Sequence, residues 1–361
     1  MRIRTFEHGD ELLLPEVSNR SYANRMVVRR NPQEWVWRFM QSPHFDPEGV
    51  IIAEEHREII GYLVATPAVA RIFDRTIRLT IGTNLCVLPQ YRWRGTAAAM
   101  IEQLLSYAKR KSEILLVYVE KGGISHGLVV RRFHWKEVGE VRLFAKVPNL
   151  LSGIKLPPSV FLHALLSPIA SLGYLTRDIN ILIRHGSDHR TEQVGLRYVQ
   201  QLNDDDIADT IEFINESNND KLGFRMIDEQ EYKWRYLTYT NSSRDSVFVS
   251  KRDGKIDSHV AVSFHVFSSP LFPGSLKLAT LNDVCGKVDS TLKVAIDHVK
   301  KAKANLTLAS VPFGSERLYA SLGFFETTPF AIVMRAFSAF ELGNDISHEW
   351  YVHLQDIVGE P

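Results

Sequence analysis

Residues Val87 to Ala97 read Val-Leu-Pro-Gln-Tyr-Arg-Trp-Arg-Gly-Thr-Ala, and their types and spacing suit a diphosphate. An apolar, strand-like run, Leu79–Val87, leads in, and a helix-like run, Ala97–Lys111, leads out. A helix start presents unpaired N–H groups and the positive end of its dipole, so it favours an anion. Gly95 lets the backbone approach the ligand, because a Cβ there would hold it away. Arg92 and Arg94 add charged donors suited to phosphate oxygens, and a helix N-terminus avoids cations unless an anion is present. Trp93 either flanks a nucleotide or packs, and Thr96 serves as N-cap or phosphate ligand through one oxygen.

These residues sit in a chain of 361, too long for one ordinary core, so two domains are expected. The apolar share of 45% is that of a soluble globular protein. Lys and Arg number 43 against 42 Asp and Glu, a formal net charge of +1, which argues against a nucleic-acid-coating protein. Cys86 and Cys285 lie far apart, in no metal-ligand spacing, and the polar N-terminus has no apolar signal region. A reducing cytoplasm is the expected setting, with no metal. Pro157–Leu175 is uncharged and about long enough to span a bilayer. His163, Pro168 and its serines interrupt it, so it is read as an inter-domain helix and membrane contact is not expected.

The chain repeats itself at an offset of 197 residues. Gln33-Glu34-Trp35-Val36-Trp37-Arg38-Phe39-Met40 matches Gln230-Glu231-Tyr232-Lys233-Trp234-Arg235-Tyr236-Leu237, and Val50-Ile51-Ile52 matches Val247-Phe248-Val249. The same offset pairs Thr83 with Thr280 and Val87 with Val284. So long a period indicates two copies of one domain rather than a solenoid. Each copy runs strand, helical segments, hairpin and long strand, helix (Ala97–Lys111; Ser290–Ala302), strand, short helix and a final strand pair. The fold class expected is α/β (α+β), each copy a mixed, mostly antiparallel sheet flanked by helices. Residues 1–148 form the first domain, 149–193 a linker with an apolar helix, 194–338 the second domain and 339–361 a tail. Trp37-Arg38 and Trp234-Arg235 recur in both copies and are read as packing a helix on its sheet.

Val87-x-Pro89-x-Tyr91-Arg92-x-x-Gly95-x-Ala97 resembles the acetyl-CoA pyrophosphate loop of the GNAT superfamily of N-acetyltransferases. Leu318-Tyr319-Ala320-Ser321-Leu322-Gly323-Phe324 resembles that superfamily's Leu-Tyr-x-x-Leu-Gly-Phe run, of which Val130–Glu137 is a weaker version. The resemblance implies two tandem GNAT-like domains and direct transfer of an acetyl group from acetyl-CoA to an amine of a small molecule or peptide. The backbone of Leu85, Cys86 and Val87 would hold the pantetheine arm, and Arg92, Trp93, Arg94, Gly95, Thr96 and Ala97 the diphosphate. In the second copy Val284-Cys285-Gly286-Lys287-Val288-Asp289-Ser290 is about three residues shorter and lacks the Arg-x-x-Gly-x-Ala pattern, so it holds no CoA in this way. It shapes the acceptor site or a homodimer surface.

The tyrosine that often protonates the departing thiolate in GNAT enzymes is Tyr319 in the second copy, but Val130 in the first. Leu79–Leu88 carries no carboxylate to act as base. Asn84 can orient a water, Glu120 can serve as base and Tyr118 as acid, with His126 a further candidate. Cys86 is read as a buried strand residue rather than a nucleophile. Two alternatives stand. The N-myristoyltransferases also consist of two GNAT-like halves, and Thr83-Asn84-Leu85-Cys86-Val87 is similar to their Asn-Phe-Leu-Cys-Val strand, which would imply a long-chain acyl donor. The loop here keeps the GNAT glycine, and Pro361 gives no match to that family's C-terminal end. The other alternative is a non-catalytic acetyl-CoA sensor or scaffold, which the missing tyrosine and strand carboxylate favour.

Overall fold

The computed structural model describes residues 1–23, 27–28, 30–72, 75–147, 199–219, 221, 223–238, 246–269, 272–311, 314–327, 329–337 and 350–351. The expected linker helix, with Pro157–Leu175, and most of the tail lie outside the described residues. Among the described residues no helix is long and apolar enough to cross a membrane.

The first half contributes β1 (Arg2–Thr5), α1 (Leu14–Ser21), β2 (Val27–Val28) and α2 (Pro32–Trp35), which runs into a π-type turn at Val36–Met40. There follow β3 (Val50–Glu55), β4 (Glu58–Ile72), β5 (Arg75–Val87), α3 (Thr96–Lys111), β6 (Ile114–Glu120), α4 (Ile124–Gly127), β7 (Lys136–Val141) and β8 (Leu143–Lys146). The second half repeats the order with β9 (Val199–Gln201), α5 (Ile207–Ser217), β10 (Gly223–Arg225), α6 (Glu229–Tyr236), β11 (Ser246–Arg252), β12 (Lys255–Ser269) and β13 (Phe272–Gly286). It closes with α7 (Asp289–Lys301), β14 (Leu306–Ser310), α8 (Glu316–Ser321), β15 (Phe325–Glu326), β16 (Phe330–Ala336) and β17 (Trp350–Tyr351).

The sheets do not divide as the sequence does. One runs β1-β3-β4-β5-β6-β16-β7 and the other β15-β8-β14-β13-β12-β11-β9. The equivalent strands β8 and β16 have changed places, each lying between two strands of the other copy. Two shorter strands cross as well: β2 pairs with Phe267 and Ser268 of β12, and β10 with Ala70, Arg71 and Ile72 of β4. An apolar strand such as Phe330–Ala336, with Ala331 to Met334 all buried, is stable only when both faces and both edges are covered. The edge that accepts it belongs to the other copy.

The face of the first sheet behind α3 packs Ile101, Leu104 and Ala108 on Leu63, Ala65 and Val117. The opposite face meets α1 and α2 at one end through Leu14, Trp35, Tyr62 and Cys86. Towards its other end it meets the second sheet, where Ile81, Leu116 and Tyr118 share a core with Leu278, Leu306 and Leu308.

One ion cluster also ties the halves. Glu231 of α6 is buried and receives Arg235 at 2.7 Å, Arg225 of β10 at 2.5 Å, and His44 of the first copy at 3.2 Å. Burial pushes its carboxyl upward, but Arg225 and Arg235 outweigh that and hold it well below the usual carboxylate range. Glu231→Gln leaves two buried guanidinium groups without their carboxylate, an expected loss of about 3–5 kcal/mol at neutral pH. A carboxylate whose folded value is depressed stabilises above its unfolded value, and that stability is lost as pH falls through the folded one. In denaturant melts the gap between wild type and Glu231→Gln is therefore full at pH 7 and narrows below about pH 4. A gap independent of pH would contradict the pairing.

Candidate active site

The site begins with a bulge. Cys86 pairs with Tyr62 and Thr83 with Val64, so Asn84 and Leu85 together oppose Leu63. Asn84 takes φ 56°, a left-handed conformation that asparagine tolerates better than most residues. Such a bulge bends the strand and re-aims the residues after it. The parallel ladder between β5 and β6 runs only from Leu79–Ile114 to Gly82–Val117. Beyond it β5 continues to Val87 and β6 to Glu120, so the two part and leave a notch in the sheet. Gly82 suits its root: a Cβ there would lie 3.0 Å from Leu104 and Val117, whose side chains would have to give way.

The loop closes the notch. Pro89–Tyr91 form a short 3-10 turn, Trp93 sits at φ 66° and Gly95 at φ 85°, and α3 starts at Thr96. Gly95, not Thr96, is the N-cap, so no side chain caps the first N–H groups of α3, and no acidic residue lies in its first turn. A Cβ on Gly95 would meet only open space, so the backbone there faces room for a ligand. This 16-residue helix thus begins with unsatisfied donors behind an open surface.

The loop side chains divide differently from the sequence expectation. Arg92 is a fastener: its Nε donates to the Val87 carbonyl at 3.1 Å, and an Nη donates to the Ser21 carbonyl at the end of α1. Arg94 is exposed and lies 5.4 Å from the Tyr91 ring centroid, leaving it as the loop's exposed phosphate-binding candidate. Trp93 is 85% exposed, so it does not pack. Thr96 is buried and donates to the Tyr91 carbonyl at 3.3 Å, holding the loop's shape; Ala97 is the second residue of α3.

Around the bulge, Leu85 and Val87 face the α3 core, while the Tyr22 hydroxyl donates to the Leu85 carbonyl at 2.8 Å. Cys86 is buried 3.7 Å from Ser18, and burial pushes its thiol up to about 11, which keeps it protonated at neutral pH.

A pocket opens where the copies meet. Thr83 and Ile81 of β5, Phe39 and Asp46 line it from the first copy, and His265 and Thr280 from the second. Trp37 and Trp234 do not pack a helix on its own sheet. They stack on each other between the copies, centroids 5.5 Å apart and planes at 29°, with Trp234 Nε1 donating to the Trp37 carbonyl at 2.8 Å. The residues that do cover the sheets are Trp35 and Tyr232, two positions earlier. The pocket and the notch thus share β5, one before the bulge and one beyond it. Tyr118 belongs to the same inter-sheet core as Ile81, and Glu120 lies exposed at the end of β6. Neither lines the pocket, and His126, 3.0 Å from Glu137, is also away from it.

The second copy has the same bulge in another condition. Asn282 pairs with Ala261 and Cys285 with His259, leaving Asp283 at φ 48°. Asn84 is thus equivalent to Asp283 and Cys86 to Cys285, two residues away from the alignment that pairs Thr83 with Thr280. The cause is a second irregularity: Ser268 pairs with Ser275 but Ser269 with Phe272, so Pro273 and Gly274 are extra. Asp283 accepts a hydrogen bond from the Tyr236 hydroxyl, and Tyr232 bonds His259 at 3.1 Å. Tyr319 is wholly buried between Phe144 and Phe324 and serves the core.

Residues 17–133 match the model of the Acetyltransferase (GNAT) family. No curated protein sequence matches the chain. Among solved structures, Saccharomyces cerevisiae N-myristoyltransferase with bound myristoyl-CoA superposes with a TM-score of 0.71 at 11% identity, over 97% of this chain and 89% of that one. A GCN5-related N-acetyltransferase from Anabaena variabilis gives 0.58 at 10% identity, over 93% and 73%. The bulge, the notch and the uncapped helix lie in the matched segment, while the likeness to N-myristoyltransferase extends over both sheets. Residues 17–133 thus match the Acetyltransferase (GNAT) family model, and the chain as a whole has the fold of N-myristoyltransferase.

Proposed function

We propose that the protein is an acyl-CoA-dependent N-acyltransferase that takes acetyl-CoA as donor and acylates an amine bound between the copies. The observation that carries this reading is the joining of three features in the first copy. They are the splayed β5 and β6, the bulge at Asn84, and the uncapped start of α3 beside Arg94. The second copy shares the splay and the bulge but enters α7 at Asp289 without an Arg-Gly loop. The start of α3 and Arg94 suit a diphosphate, and the stretch of β5 beyond Gly82, which β6 leaves unpaired, suits an extended amide-bearing arm. The thioester would then lie at the bulge, where backbone N–H groups can stabilise its oxygen.

Transfer needs little beyond positioning. The acceptor nitrogen, once neutral, attacks the thioester carbonyl carbon. The C–N bond forms, the C–S bond breaks, the nitrogen gives up a proton and the CoA thiolate takes one. On this reading Tyr118, on the β6 side of the notch, supplies the thiolate's proton. Glu120, at the mouth, draws the amine's proton away through water. Asn84 contacts the reactants.

The shared fold with N-myristoyltransferase favours a second reading, in which the donor is a long-chain acyl-CoA. The retained Gly95 and the Arg94 arrangement favour the short one. Competing myristoyl-CoA against acetyl-CoA in an equilibrium titration separates them: comparable or tighter binding of acetyl-CoA is expected, and a clear preference for the long chain would overturn the acetyl assignment. Arg94→Glu places a negative charge at the diphosphate and should weaken acyl-CoA binding by about tenfold or more. Unchanged affinity would show that the loop is not the diphosphate site.

A further inference from the structure

Arg30 is a buried charge for which the described residues provide no counter-ion. It is 6% exposed, yet both terminal nitrogens of its guanidinium lack a hydrogen-bond partner among those residues. A buried guanidinium without a carboxylate is unfavourable, and in a folded protein it calls for a ligand that completes it. The repeat shows that the fold itself does not require an arginine there. In the first copy the Asn19 side chain clamps the backbone of residue 30, donating to its carbonyl at 2.9 Å and accepting from its N–H at 3.1 Å. In the second copy Asn215 clamps Ile227 in the same way, at 3.0 and 3.2 Å. The position is structurally equivalent, and there it holds a buried isoleucine.

A second substitution accompanies it. In the second copy Asp283 and Tyr236 satisfy each other. Their equivalents in the first are Asn84 and Phe39, so the hydroxyl is gone. The Asn84 amide is buried at the bulge with neither its nitrogen nor its oxygen partnered among the described residues. Phe39 instead faces the Arg30 guanidinium at 5.9 Å and that of Arg38 at 5.4 Å, and it forms a wall of the pocket. Arg30 opposes the upward push of burial on Cys86, the residue after Leu85, and on Tyr62 opposite it. Burial, then Arg38 and Arg30, bring the His265 imidazole across the pocket down to about 4, so it stays neutral and offers no repulsion. Among the carboxylates near the pocket, Glu231 is held by Arg225 and Arg235, and Asp46 by Lys111 at 3.0 Å. Among the described residues, the carboxylates near the pocket are therefore already taken, and none pairs with Arg30.

We propose that Arg30, with the Asn84 amide, binds a carboxylate of the acceptor, so that the amine acylated here belongs to a free amino acid or a similar short amino-carboxylate. Arg30 acts on Cys86 at the bulge, where the thioester is placed, so the carboxylate and the reacting nitrogen belong to one short molecule. This rests on the acyltransferase reading and narrows its acceptor from amines in general to those with an adjacent anion. A peptide N-terminus lacks that anion.

The test uses the full chain, acetyl-CoA, and the common amino acids paired with their carboxamides, reading thiol release. For the acids that turn over, wild type should favour the acid over its amide by about ten- to a hundredfold in kcat/KM. Arg30→Met should lose most of that preference while keeping its acetyl-CoA affinity and a melting temperature no lower than wild type, since it removes an uncompensated charge. Arg30→Lys should retain part of the preference. Equal use of acid and amide, a preference that survives in Arg30→Met, or no turnover of any acid would overturn the proposal. Acetyl-CoA affinity, measured separately, tells the two readings apart: if it persists, only the acceptor assignment fails; if wild type binds no acyl-CoA, the acyltransferase reading fails.

Discussion

The exchange of β8 and β16 between the sheets is the constraint on which the rest depends. Each strand is hydrogen-bonded on both sides by the copy from which it does not come. Neither sheet can then be completed without the other. The crossings of β2 and β10 add a second pair of ties, and the Glu231 cluster a third. A pocket formed where two domains merely touch would change shape as they moved. Here Thr83 and His265 belong to strands of sheets built from both halves of the chain, so the geometry between them is as fixed as a core.

Within that frame the two copies have gone in opposite directions from the same bulge. The second has closed: Tyr236 on Asp283, Tyr232 on His259, and a shortened connection into α7 that begins with an acidic first turn at Asp289. The first has stayed open, with no acidic residue in the first turn of α3, an exposed Arg94, and, among the described residues, no partner for Asn84 or for the terminal nitrogens of the buried Arg30. Each open feature costs stability in the free protein, and groups that cost stability without packing are commonly those that meet a ligand. On the proposed reading the closed copy supports the shape of the site and the open copy supplies its chemistry.

Much of this was legible in the residues, for local reasons. The loop could be read because Gly95 and the start of α3 are adjacent in sequence, and the repeat because Trp35-x-Trp37-Arg38 returns at Tyr232-x-Trp234-Arg235. What escaped the sequence depends on distant pairing. Apolar strands such as Leu143–Lys146 and Phe330–Ala336 carry nothing that states which sheet accepts them. The alternation of a strand repeats every second residue, so the extra Pro273 and Gly274 let Thr83 align with Thr280 as plausibly as Asn84 with Asp283. Arg92 reads as a phosphate ligand until Ser21, far back in the chain, takes its donors. Arg30 stands opposite Ile227 at the repeat offset, but its burial without a counter-ion is a property of the packed structure alone.

On the proposed reading, two copies of one fold hold a single acyl-CoA site in one chain. Calorimetric titration of the full protein with acetyl-CoA reads this directly through the number of sites. One molecule bound per chain is expected, with the heat accounted for by a single class of site. Two equivalents per chain, or none, would contradict it.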